Sequence, residues 1–247
     1  MNVTITALVL ENKANLDKLE ERLGYTFADQ TFLQQALLHS SWAAENDLSV
    51  IKNNERLEFL GDAVLDLVVG AALYHRSAEM REGDLSRLRA ALVNTAQLAQ
   101  VAAELSLGEY LFLGKGEDAS QGRQKSSILG CAFEAVVGAI FLDGGYGAAV
   151  DFVDKHFGSW LDKGKGALRL LGDAKSRLQE ESQERFNLTP VYQLEKEEGP
   201  DHAKFFTVSV LVNEQVLAHG SGSSKKEAEQ QAAATALLDF ADFNLDS

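Results

Sequence analysis

The sequence predicts an all-α helical domain followed by a small α+β domain of order α-β-β-β-α. Three observations predict it. Apolar residues recur at helical spacing through the first two thirds of the 247-residue chain, and its only two prolines, Pro190 and Pro200, fall after that region. Beyond residue 190, apolar and polar residues alternate with the period of a half-buried strand. With 45% apolar and 24% charged side chains, the chain has material for one large domain or two smaller ones, each with a core.

Leu16, Leu19 and Leu23 share a helical face that stops at Gly24, and Phe32, Leu33, Ala36 and Leu37 resume the pattern after Asp29, a capping residue type. Leu57, Leu60, Val64, Val68 and Ala71 form the ridge of a longer helix. Leu85, Leu88, Leu92 and residues 95–98 read as one further helix. Residues 114–122 read as a loop, with Lys115, Arg123 and Lys125 in and beside it. A helix over 127–142 follows and ends at Gly144-Gly145, and another holds Phe152 and Trp160. These helices are expected to form a bundle. Lys163-Gly164-Lys165-Gly166 then interrupts the apolar pattern, which predicts a domain over 10–162, a linker over 163–172 and a second domain over 173–241. In that second domain a helix over 175–184 precedes strands at 191–195, 206–211 and 215–218, and a helix over 224–240 closes it.

Acidic residues number 37 against 23 basic, a net charge of −14, which argues against generic adhesion to polyphosphate or anionic lipid. Any nucleic-acid contact must therefore be local. The one cysteine, Cys131, cannot form an internal disulfide, and the five histidines show no paired zinc-ligand spacing, so a reducing cytoplasm is the expected compartment. The most apolar stretches, 63–73 and 132–142, fall short of the roughly 20 residues that span a bilayer. Each also carries a carboxylate, Asp66 or Glu134, so no membrane partner is expected. The brief apolar run at 5–10 lacks the basic leader of a secretion signal, and the mature chain is expected to begin near Met1.

At 100° per residue, Glu55, Glu58 and Asp62 lie at about 0°, −60° and −20°, with Asp66 near the same line. Such a stripe is either the solvated face of a surface helix or a cluster that takes up protons or a cation. Apolar residues around most of the circumference, Phe59, Leu60, Ala63, Val64, Leu65, Leu67, Val68 and Val69, favour a central helix and so the second alternative. Oxygen donors without a cysteine or histidine pattern favour Mg²⁺ or Mn²⁺ over zinc, and carboxylate-held Mg²⁺ suits phosphoryl chemistry.

The nine residues Asn54-Glu55-Arg56-Leu57-Glu58-Phe59-Leu60-Gly61-Asp62 resemble the signature of ribonuclease III. Ala36-Leu37-Leu38-His39-Ser40-Ser41, Gly83-Asp84-Leu85-Ser86-Arg87-Leu88-Arg89, Leu113-Gly114-Lys115-Gly116-Glu117 and Ala132-Phe133-Glu134-Ala135-Val136-Val137-Gly138-Ala139 resemble further family segments in the family's order, over about residues 15–241. The resemblance implies a homodimeric, Mg²⁺-dependent endoribonuclease, with Mn²⁺ able to substitute, in which each protomer cuts one strand of double-stranded RNA. It implies Glu58, Asp62 and Glu134 as metal-site residues, Glu58 and Glu134 by direct ligation and Asp62 through the water shell. Asp62 and Glu134 would be catalytic, Glu55 would support substrate or water positioning, and Phe59 would plug a pocket on the partner. It further implies 5′-phosphate and 3′-hydroxyl ends with a short 3′ overhang, and precursors of ribosomal and other RNA as substrates.

One position departs from that pattern. The family normally has an aspartate three residues before the glutamate matched by Glu134, and here that residue is Cys131. A thiol is a poor Mg²⁺ ligand, since sulfur is soft and the ion hard. Two readings stay open: a weaker but active site, or a protein that binds double-stranded RNA and cuts little.

Residues 173–240 resemble a double-stranded RNA-binding domain. Ala174-Lys175-Ser176-Arg177-Leu178-Gln179-Glu180 opens its first helix and Gly220-Ser221-Gly222-Ser223-Ser224-Lys225-Lys226-Glu227-Ala228-Glu229 its second. The resemblance implies that Gln179, Glu180 and Gln183 meet one minor groove of an A-form duplex and His202 the next, while Lys225 and Lys226 take phosphates at a helix N-terminus and Lys204 adds a further phosphate contact. With 12 acidic and 7 basic residues over 173–240, the domain is expected to bind modestly and to lose affinity steeply with salt.

Overall fold

The computed structural model describes residues 4–46, 53–164, 174–199, 204–240 and 243. The chain divides into two compact units, Met1–Leu170 and Leu171–Ser247. His202 and most of the predicted linker lie outside the described residues.

The first unit is helical. Helix α1 (Ile5–Leu23) starts where Thr4 accepts a hydrogen bond from the Ala7 amide and ends at Gly24, whose φ of 69° suits the left-handed cap. The apolar run at 5–10 is thus its first turn and a half. Asp29 caps α2 (Gln30–Ala36), which the short α3 (Ser40–Glu45) follows. The long α4 (Glu55–Arg76) buries Leu57, Val64, Val68 and Leu73. The single helix predicted through 85–98 is two, α5 (Glu82–Leu92) and α6 (Thr95–Glu104). Asn94 separates them, because its backbone is extended and its side chain accepts from the Gln97 amide at 2.9 Å, which starts a new helix.

The segment predicted as a loop over 114–122 holds one short helix, α7 (Lys115–Ala119), and precedes a 3₁₀ turn, Gly122–Gln124. Two nearby cations serve the protein itself. Arg123 donates to the carbonyls of Gly108 and Leu111 at 2.9 and 2.8 Å and to the Asp118 carboxylate at 2.7 Å, and Lys125 pairs with Glu117.

Helix α8 (Ser126–Lys163) breaks at Gly145, with φ 75° and ψ −170°, as the predicted Gly-Gly stop requires. Just before the break, Asp143 accepts from the Tyr25 hydroxyl at 2.7 Å and from the Ala28 and Asp29 amides at 2.9 Å, tying the α1–α2 connection to α8. Length and hydropathy alone would let α8 cross a membrane, but 61% of its most apolar window is buried in the protein. It carries Phe133, Val136, Val137 and Ile140 into the core. Helix α4 packs along it, and two glycines set the spacing. A Cβ on Gly61 would overlap the carbonyl oxygen of Glu134, and one on Gly138 would overlap that of Leu57. The backbones therefore meet directly, which fixes the residues on either side of Gly61 against those around Glu134.

Apolar encirclement of α4 does not mean complete burial. Phe59, Leu67 and Tyr74 are 80%, 59% and 71% exposed, and α8, not α4, is the more central helix.

In the second unit, β1 (Val191–Glu198), β2 (Phe205–Val212) and β3 (Gln215–Gly222) form an antiparallel sheet in that order. Each runs past its predicted end, β1 by way of a register shift between Leu194 and Lys196. Asn213 and Glu214, at φ 51° and 64°, make the two-residue β2–β3 turn. Helices α9 (Ala174–Phe186) and α10 (Lys225–Asp239) complete the unit. Leu178, Val210, Val212, Ala232, Ala233 and Phe240 make its core. Alanines on α10 and Gly220, where a Cβ would overlap the Ala232 amide and the Ala228 carbonyl, let helix and strand approach closely.

Candidate functional site

The start of α4 is pinned before any acidic side chain is placed. Asn53 and Asn54 are buried, the Asn54 amide donates to the Leu38 carbonyl at 2.8 Å, and the Glu55 amide donates to the Asn53 side chain at 3.2 Å. Glu55 and Glu58 occupy the first turn, where the positive end of the helix dipole favours anions.

Across the α4–α8 contact, one ligand atom each from Glu58, Cys131 and Glu134 lies within 4.8 Å of the others, and all three residues are half-buried. Cys131 and Glu134, three residues apart on α8, share a face and meet Glu58 from α4. Asp62, exposed one turn beyond Glu58, lies outside this trio yet near enough to act on Glu134 electrostatically. Glu55 is exposed and also outside it, and Asp66 is drawn aside to Arg89, 3.5 Å away.

The electrostatics are those of anions held together. Burial first, then the charges of Asp62 and Glu58, push the Glu134 carboxyl up to about 7. Burial also pushes the Cys131 thiol up to about 12, helped by its hydrogen bond to Glu58, so it is a neutral donor at ordinary pH. Carboxylate oxygens of Glu58 and Glu134 suit a hard divalent ion, whereas the sulfur between them does not. A cation bound here must displace the Glu134 proton. Its apparent affinity is therefore expected to rise about tenfold per pH unit below 7 and to level off above it. Calorimetric Mg²⁺ titrations in buffers of different ionisation enthalpy check this through the protons released.

Phe59 lies about 100° round α4 from Glu58 but only about 40° from Glu55. Phe59, Ala63, Leu67 and Tyr74 fall within about 80° on α4, an exposed apolar stripe beside the acidic one.

In the second unit, Ala174, Leu178 and Ser182 turn inward from α9, which leaves Gln179, Glu180 and Gln183 on its exposed face. Ser224 caps α10 by accepting from the Glu227 amide at 3.2 Å, while the Glu227 carboxylate accepts from the Ser223 amide at 2.8 Å. Lys225 and Lys226 thus stand exposed at a helix N-terminus. Lys204 enters β2 and pairs with Glu197 at 2.7 Å. The Glu197 pairing, and the engagement of Arg123 and Lys125 by neighbouring protein groups, are features that sequence reasoning missed, because neither has a periodic signal.

The family pattern described as Ribonuclease-III-like matches residues 29–159, and that of the double-stranded RNA binding motif matches residues 174–239. The protein called Ribonuclease 3 in Desulfotalea psychrophila is 55% identical over 237 residues, covering 96% of this chain and 98% of that one. Among solved structures, the nuclease domain of ribonuclease III from Campylobacter jejuni is 44% identical, with a TM-score of 0.53, and spans 62% of this chain and 96% of that one. A second structure of that domain, described as flexible in a region involved in dimer formation, is 46% identical with a TM-score of 0.52, over 58% of this chain and 99% of that one.

Proposed function

Because the chain belongs to the ribonuclease III family, we propose that its acidic cluster is the cutting centre for double-stranded RNA and that the metal it uses is Mg²⁺, which Mn²⁺ can replace. The chain is a double-stranded-RNA endoribonuclease, and nothing favours a binding protein that does not cut. The observation that carries the proposal is the meeting of Glu58 and Glu134, from two separate helices, within 4.8 Å.

In this reading Glu58 and Glu134 hold the ion directly. Bound there, it supplies charge neutralisation at the scissile phosphate and acidifies water. Asp62, exposed and a turn away, accepts hydrogen bonds from water and orients it toward the phosphorus opposite the leaving 3′ oxygen. Glu55 orients substrate or water at the same end of α4. The P–O3′ bond breaks as the water oxygen bonds to phosphorus, leaving a 5′-phosphate and, once protonated, a 3′-hydroxyl. Gln179, Glu180, Gln183 and His202 read two minor grooves, with Lys204, Lys225 and Lys226 on the phosphates between them. The exposed stripe headed by Phe59 pairs two protomers, each cutting one strand. We place the nuclease domain at 10–162, the linker at 163–172 and the RNA-binding domain at 173–241, with precursors of ribosomal and other RNA in the cytoplasm as substrates.

Labelled duplex RNA tests this. Mg²⁺-dependent products are expected at sub-stoichiometric enzyme, and a gel shift without products would overturn the proposal. Cys131→Asp adds an oxygen donor where a neutral thiol now stands. It is expected to lower the Mg²⁺ concentration for half-maximal cleavage by about tenfold, the scale on which metal-site shells act. No change would show that position 131 contributes no ligand.

A further inference from the structure

One carboxylate in the second unit stands where RNA phosphate is expected to go. Glu197, near the end of β1, reaches two cations at once: its Oε1 is 2.7 Å from Lys204 Nζ and its Oε2 is 3.9 Å from Lys225 Nζ. Lys204 precedes β2 and Lys225 opens α10, so one side chain joins the strand pair to the helix N-terminus. The two lysines hold Glu197 below the usual carboxylate range, so it is charged at neutral pH. Both pairs are open to water, with the Lys225 side chain 58% exposed, and exposed pairs of this kind are weak enough to be replaced.

We propose that Glu197 is an internal competitor for RNA phosphate, pairing with Lys204 and Lys225 in the free protein and giving them up when a duplex binds. The inference rests on the RNA-facing role given above to those lysines. The unit has 12 acidic and 7 basic residues over 173–240, so two cations are a large part of its attraction for phosphate. A phosphate approaching Lys225 or Lys204 meets an anion already beside those side chains, and each Lys–Glu pair must open before a Lys–phosphate pair forms. Glu197 therefore acts on binding only through the lysines, as a competing anion. Its effect is to lower the affinity for every duplex by the same factor, without changing the preference among them.

The test uses the full chain in EDTA, so that nothing is cut, with a labelled duplex of at least about 16 base pairs, the span of one such domain. Glu197→Gln removes the charge and keeps the shape. It is expected to tighten binding about threefold at 0.1 M salt and to steepen the slope of log K against log salt by about one unit. Glu197→Asp, which keeps the charge, should stay near the original values. Unchanged affinity and slope would overturn the proposal. Weaker binding with an unchanged melting temperature would overturn it too, making Glu197 a residue that preorganises the lysines. The double variant Lys225→Ala with Lys226→Ala separates the inference from its premise. If it loses binding while Glu197→Gln changes nothing, only the competitor role fails; if it binds normally, the lysine face itself is wrong and both fall.

Discussion

Glu134→Gln is expected to lower kcat on duplex RNA by about 10³-fold or more while leaving duplex affinity within about twofold. A metal contributes several kcal/mol of transition-state stabilisation, and each 1.4 kcal/mol is a factor of ten, which sets that scale. Glutamine has the shape of glutamate but neither the charge nor the second anionic oxygen, so the trio keeps its packing and loses one of its two carboxylates. The fold should not suffer. Burial and the charges of Asp62 and Glu58 raise the folded-state pKa of Glu134 to about 7, above its ordinary value, so the ionised form destabilises the metal-free protein as pH rises through that range. A neutral amide removes the penalty, so the melting temperature of the metal-free variant at pH 8 should equal or exceed the original. Single-turnover cleavage, gel shift and thermal melting together check the claim, and original kcat in the variant would remove Glu134 from the centre.

For the proposed pairing of two protomers through Phe59, Phe59→Asp is expected to leave the chain monomeric. A side chain 80% exposed contributes almost nothing to its own core, so the variant should melt as the isolated monomer would. Burying a phenylalanine is worth about 1.5–3 kcal/mol, and a two-fold interface counts it twice, which weakens association by about 10² to 10⁴-fold before the cost of desolvating aspartate. Sedimentation across a dilution series reads the shift, and cleavage of both strands of a duplex should fall with it. If the variant remains dimeric, the stripe of Phe59, Leu67 and Tyr74 is not the pairing surface.

The parts of the fold governed by periodicity were legible in advance. The stop of α1 at Gly24, the break of α8 at Gly145 and the three-stranded second unit follow from residue types whose backbone preferences are strong. Of the expected metal-site residues, Glu58 and Glu134 come from two helices and meet across their contact, with Cys131 in the trio and Asp62 outside it. Local competition decided what was less visible. Asn94 divides α5 from α6 because one side-chain hydrogen bond starts a helix at lower cost than bending one, and leucine spacing carries no trace of that. The loop reading of residues 114–122 gave no partner for Arg123, which the carbonyls of Gly108 and Leu111 claim once the chain folds back on itself. Periodicity alone did not reveal the exposure of Phe59, which only the family resemblance had implied: an apolar residue on an apolar helix reads as core whether its neighbour is the same chain or another.

Replacing helical glycine with alanine is a standard route to heat resistance, worth about 0.4–1 kcal/mol when the site has room. Gly61 and Gly138 have none, because an added methyl at either would wedge α4 from α8 by pressing on main-chain oxygens, which have no rotamer to escape into. Thermostabilisation of this enzyme should therefore spare both positions and work on the leucine-rich layers elsewhere. A variant carrying either alanine could stay folded and still misalign its two carboxylates by more than ion coordination tolerates.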